Sequence, residues 1–321
     1  MGNKLLELGT DQAVAKLGRC YLKEAATALP RVHDATDVEG LHDFRVALRR
    51  LRSVLHSYRG DFHGGFDKPL YRQLGDLARR TNSARDIEVM LVWIEGEIPH
   101  LTPAQRKAAN WWHEQLQTQA GEAYAHLEDH LEEGFAAIAK PFRKWFRQMD
   151  KSPRDAHGFA HVTAQKLRQL IDELALLLTV IRSMDDMPTL HQARIVGKRL
   201  RYLIGPLSKG CPPCKAAAGV LKEFQELLGG LHDCHVRDLA LRQASAEAAA
   251  AWARERIAAI AAGGPDGSGQ CRELNGLGAL ARRNRAEAES LFGRFHREHL
   301  ANNASELASR IELCIQTLGG A

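Results

Sequence analysis

Two stretches of the chain carry His, Arg and Lys at a spacing suited to one kind of chemistry, the binding of anions. His42, Arg45, Arg49 and Arg52 recur at three- and four-residue steps, and so do His191, Arg194, Lys198 and Arg201. At 100° per residue each set falls within an arc of about 80° on a helix, which makes one cationic stripe per helix. Leu48, Leu51, Val54, Leu55 and Tyr58 take the opposite side of the first helix, while Ile195, Leu200, Leu203 and Ile204 are available for packing on the second. Arg50 and Arg199 stand well off the stripe centres and are secondary candidates.

An ordinary exposed helix mixes charges, because opposite signs four residues apart stabilise it and like signs repel. Here the acids are missing: neither Phe44 to Gly60 nor Pro188 to Lys222 contains an Asp or a Glu. The overall balance of +5 hides this, since carboxylates gather elsewhere, as between Glu122 and Glu133. Segregated positive charge of this kind calls for a polyanion. Arg79 and Arg85 extend the first set past the turn-like Thr81-Asn82-Ser83. Lys222, His232 and Arg237 extend the second, with Gly229-Gly230 offering an anion close access to the backbone. The two sets are expected to face each other across a pseudo-twofold axis. The planar fork of arginine makes two hydrogen bonds to one phosphate, and a linear chain of phosphates fits such a lining better than a compact anion.

These residues need helices to position them, and the composition supplies helix formers. Of 321 residues, 45% are apolar and 26% charged, and apolar positions recur at three and four residues without period-two alternation. The expectation is an all-α protein, with breaks at Pro30 to Gly40, Arg59 to Pro69, Ile98 to Pro103, Asp150 to Gly158, Met184 to Pro188, Lys209 to Pro213 and Gly263 to Gly269. The chain also repeats itself. Leu41 to Leu55 aligns with Leu190 to Ile204 at a constant offset, and Arg85-Asp86 aligns with His232-Asp233 at nearly the same one. Two copies of one helical unit, over residues 1–150 and 158–321, account for both matches. No run reaches the roughly 20 apolar residues of a membrane span, and MGNKLLELGTDQ lacks the apolar stretch of a signal peptide, so the expected location is the cytoplasm. The six cysteines then read as thiols. Cys211-Pro-Pro-Cys214 is either a tight interhelical turn able to oxidise to a disulfide or, with Cys234 and His235, half of a zinc site.

The pair HDFRVALRRLR and HQARIVGKRLRY, each followed by a helix bearing ARD or HDC, resembles the conserved histidine α-helical domain, CHAD. The resemblance covers nearly the whole chain. It implies two pseudo-symmetric helical bundles around a basic central groove or pore, non-enzymatic binding of inorganic polyphosphate, and association with polyphosphate granules. Carried over, the contacting residues are His42, Arg45, Arg49, Arg50, Arg52, Arg79, Arg85, His191, Arg194, Lys198, Arg199, Arg201, Lys222 and His232, with no cofactor, metal or catalytic residue. The E-x-E-x-K signature of the triphosphate-tunnel enzymes fused to some members is absent from the sequence. His42 and His191 either donate to phosphate or pack between helices. Two rivals stand beside this reading. A nucleic-acid backbone would satisfy the same stripes, with only Phe44, Tyr58 and Tyr202 near them as stacking platforms. A metal-dependent phosphohydrolase would use His42-Asp43 and His232-Asp233, although Gln192 replaces the acid in the second stripe.

Overall fold

A computed structural model describes residues 3–34, 37, 39–153, 158–263, 271–301 and 305–320. It is 87% helical, and no strand occurs among the described residues. The helices are α1 (Asn3–Leu6), α2 (Thr10–Val32), α3 (Gly40–Ser57), α4 (Lys68–Arg80), α5 (Asn82–Glu97), α6 (Pro103–Met149), α7 (Gly158–Val180), α8 (Met187–Ile204), α9 (Pro212–Ala261), α10 (Arg272–Phe295) and α11 (Ser305–Gly319). Short 3-10 turns follow α5 at Ile98–His100 and α8 at Gly205–Leu207, and a π turn at His296–Leu300 ends α10.

Most breaks fall where Gly, Pro and Asp gather. Asp67 caps α4 by accepting from the Leu70 amide at 3.0 Å, and Pro69 occupies the first turn, where its missing N–H costs nothing. Pro30 behaves differently from the expected break, because α2 continues through it to Val32. Its carbonyl accepts from His33 in the last turn. The loop expected at Gly263 to Gly269 and the linker around Asp150 to Gly158 fall largely on residues 264–270 and 154–157, outside the described residues.

Packing divides the chain into two compact units, one of Met1–Asn82, His126–Gly229 and Arg294–Ala321, the other of Ser83–Ala125 and Gly230–Gly293. Each draws on both halves of the sequence. Leu41 to Leu55 and Leu190 to Ile204 fall in helices of equal length, α3 and α8, with 18 residues each, whereas Arg85 and His232 fall in helices of 16 and 50 residues.

In the first unit α3 packs on α2, α4 and α8, and α7 packs on α8 and α11. The side of α3 opposite its stripe is core: Leu48, Leu51, Leu55 and Tyr58 are fully buried. Each such side chain stabilises the fold by roughly 1.5–3 kcal/mol. Tyr58 donates to Thr163 Oγ1 at 2.7 Å, and Thr163 donates to the Phe159 carbonyl, so the hydroxyls of α3 and α7 satisfy each other in a dry core. Leu200, Leu203 and Ile204 do the same work on α8. Gly197 brings α8 against the Phe224 ring of α9, where a Cβ would sit 2.8 Å from the ring.

The second unit has its own core, in which Ile87, Met90 and Ile94 of α5 meet Trp112 and Leu116 of α6, Leu241 and Ala244 of α9, and Leu277 and Leu280 of α10. Arg237 is almost completely buried there. It stacks 4.7 Å from the centre of the Trp93 ring and pairs with Glu287 at 3.0 Å.

Candidate functional site

His42 and Arg49 of the α3 stripe face a cleft of about 660 Å³ in the first unit. Lys23 and Arg31 of α2, Arg49 and Arg50 of α3 and Arg201 of α8 line it together with His42, against two carboxylates, Glu24 and Asp43. The sum is three positive charges before any histidine protonates, within a chain whose total is +5. A second depression of about 510 Å³ shares Arg50, Arg201 and Tyr202 with the first and adds Lys209.

The arginines lining the cleft find part of their counter-charge in acids of α2, of α3 itself and of the turn between them. Glu24 pairs with Arg50 at 3.1 Å, and Arg31 is held by Asp37 at 2.7 Å and by Asp43 at 2.6 Å. Charge compensation is therefore greater than the sequence of either stripe suggests, yet it is selective. Lys23, Arg49, Arg52, Arg199 and Arg201 have no carboxylate partner among the described residues. Arg201 is oriented by a neutral group, the Gln225 side-chain oxygen at 3.1 Å. The Nε–H groups of Arg49 and Arg52 are buried without an acceptor among the described residues, a costly state that fixes the direction of the guanidinium. Arg45 donates to Thr81 Oγ1 at 2.5 Å and Asn82 Oδ1 at 2.9 Å, which ties α3 to the junction of α4 and α5.

A second group forms around Gly75. Arg52 and Arg79 each place a terminal nitrogen 3.6 Å from the point where a Cβ would be, so the glycine leaves room for two guanidinium groups to converge. Arg79 also pairs with Asp76, and Arg52 lies 5.9 Å from the Tyr71 ring centre. His56 registers the resulting field: burial, then Arg59, Arg199 and Arg52, lower its pKa to about 4.

Not every candidate joins these groups. His191, Arg194 and Lys198 are half-buried on α8 and are not among the described lining residues of the cleft. Lys222 pairs with Glu226 one turn along α9. Arg85 and His232 belong to the second unit, where Arg85 pairs with Glu88 on its own helix. Sequence reasoning passed over Lys23, Arg31 and Lys209. Lys23 and Arg31 were detectable as an i, i+8 pair on α2, but Asp172 and Val180 stand at the matching positions of the second copy, so the repeat did not flag them. Of the three aromatic groups near the stripes, Phe44 and Tyr58 are fully buried and Tyr202 alone lines the cleft. Asp43, needed by the phosphohydrolase reading, is engaged by Arg31.

Cys211 and Cys214 are joined in a disulfide at the start of α9. Cys234 sits instead in the second unit, receiving Arg237 Nη2 at 3.1 Å, with burial pushing its thiol up to about 11. No helix among the described residues is long and apolar enough to cross a membrane.

Fold and site together define an all-helical protein with an arginine-lined cleft. The CHAD domain family model matches residues 18–242, and the chain belongs to that family. Two solved structures share the fold. The CHAD domain from the plant Ricinus communis aligns with a TM-score of 0.65 at 18% identity, covering 95% of this chain and 92% of that one. PptA from Streptomyces chartreusis aligns with a TM-score of 0.65 at 16% identity, covering 91% and 99%. A search of curated proteins finds no match.

Proposed function

We propose that this protein binds inorganic polyphosphate without transforming it, through the cationic cleft of its first unit, and that binding localises it to polyphosphate granules. Membership of the CHAD family, associated with polyphosphate, supports the ligand. The observation that carries the site is the uncompensated charge. Lys23, Arg49 and Arg201 line one cleft without carboxylate partners among the described residues, and Arg201 is aimed by a neutral amide. Protein groups that orient a guanidinium without neutralising it leave its charge for a ligand. The second depression, sharing Arg50 and Arg201 and adding Lys209, lengthens the track from one phosphate to several.

Calorimetric titration with long-chain polyphosphate, single-stranded nucleic acid and duplex of matched charge, at physiological salt, tests this reading. Preference for polyphosphate is expected. Equal binding to all three would reduce the cleft to a generic polyanion surface. Joint replacement of Lys23, Arg49 and Arg201 by Glu should abolish binding with helix content retained, and unchanged affinity would refute the site.

A further inference from the structure

Outside the cleft, the densest set of reactive side chains is a group of three sulfurs in the first unit. Cys211 and Cys214 at the start of α9 meet Cys314 of α11, and all three sulfur atoms lie within 4.8 Å of one another. Cys214 Sγ is 3.0 Å from Cys314 Sγ. None of the three residues is more than 3% exposed. Cys214 and Cys314 are a hundred positions apart, so the fold, and not local sequence, makes the cluster.

The surroundings determine what such a cluster can hold. Among the described residues no His, Asp or Glu completes the group, and no charged side chain hydrogen-bonds to any of its sulfurs. Structural zinc closes four ligands, and three thiolates around Zn(II) would leave one negative charge in a dry core. Copper(I) with three thiolates would leave two. A trivalent, thiophilic centre leaves none. Metal–sulfur bonds of about 2.3 Å span the observed sulfur separations with small side-chain rotations.

We propose that Cys211, Cys214 and Cys314, once reduced, form a three-sulfur site for a trivalent thiophilic ion of the arsenic and antimony class. The Cys211–Cys214 disulfide is first opened by a thiol or phosphine reductant, which supplies two electrons while water or thiol supplies two protons. Arsenous acid then condenses with the three thiols. Three S–H and three As–O bonds break, three As–S bonds form and three waters leave, so no charge is buried. Cys211 precedes the first turn of α9, the end of the helix where fraying gives access.

The test uses the full chain, reduced with a phosphine that is then removed, and arsenite as the probe. Mass spectrometry under native conditions should show one arsenic per chain, and thiol titration should show three fewer reactive groups. Cys314→Ala and Cys211→Ala, each leaving a dithiol, should weaken retention at least tenfold, whereas Cys234→Ala in the second unit should not change it. Circular dichroism identifies any variant that fails to fold, and either of the two is sufficient. The proposal is overturned if the reduced chain retains no arsenic, if both variants match it, or if zinc displaces arsenic at equal concentration.

Discussion

The cleft makes a quantitative statement about salt. Five basic side chains, Lys23, Arg49 and Arg201 lining the cleft and Arg52 and Arg199 elsewhere on α3 and α8, lack carboxylate partners among the described residues, so a polyphosphate long enough to meet all five displaces about five counterions. For a single-stranded polyanion the slope of log K against log salt is about −0.7 per contact, which gives about −3.5 here. Raising salt fourfold, from 50 to 200 mM, then weakens binding by a factor of about 100. Arg201→Gln removes one contact and should flatten the slope to about −2.8, a loss of about 50-fold over the same range. Arg242→Gln, an exposed residue of the second unit already paired with Asp238, should leave the slope unchanged. Fluorescence anisotropy with labelled polyphosphate at five salt concentrations reads all three slopes. A wild-type slope shallower than about −1, or one that Arg201→Gln does not alter, would refute the claim that uncompensated charge carries binding.

His56 offers a site-resolved check, since Arg59, Arg199 and Arg52 help burial to hold its pKa near 4. A polyanion on Arg52 and Arg199 should raise that value by about one unit, seen by NMR titration of the ring, and no shift would place the ligand elsewhere. The same residue has a consequence for stability. Its folded pKa lies below the unfolded value of about 6.5, so the unfolded chain binds the extra proton and stability is lost as pH falls from 6.5 through 4. Discounted for its partial exposure, the loss is about 1 kcal/mol, and His56→Gln should flatten it in denaturant titrations at pH 4.5 and 7. In the second unit Arg237→Ala should cost about 2 kcal/mol and change Trp93 fluorescence, because it empties a buried position and uncovers the ring while Glu287 keeps its bond from Trp93 Nε1. Tyr58→Phe should cost only about 1 kcal/mol by urea unfolding, because Thr163 keeps its bond to the Phe159 carbonyl.

The helices were legible because their apolar period is strong. Leu48, Leu51, Leu55 and Tyr58 are buried where the helical wheel puts them, and the Gly- and Pro-rich breaks end helices at the expected places. Pro30 misled because a proline in the last turn forfeits one backbone bond without stopping the helix. The site was half legible. A helix displays its own charges in its sequence, so the stripe on α3 could be read directly. Its counter-charge could not, because Glu24 of α2 reaches Arg50 through tertiary packing. The same limit hid Cys314, whose partners lie a hundred residues earlier.

Absence of acids along one helix is therefore a poor measure of free positive charge, and the structure supplies a better one. Arg50 lies in the cleft but is paired with Glu24, whereas Arg49, its sequence neighbour, has no carboxylate partner among the described residues. Arg85 and Lys222, equally basic on paper, pair with Glu88 and Glu226 on their own helices. A ligand meeting these residues gains full Coulombic attraction from the first kind and must displace a carboxylate from the second. Contacts of the second kind contribute little, as exposed ion pairs are worth only about 0–1 kcal/mol and exchanging one anion for another returns a similar amount. Affinity should accordingly concentrate in Lys23, Arg49, Arg52, Arg199 and Arg201, and the equal spacing of the two stripes does not imply equal contributions from their members.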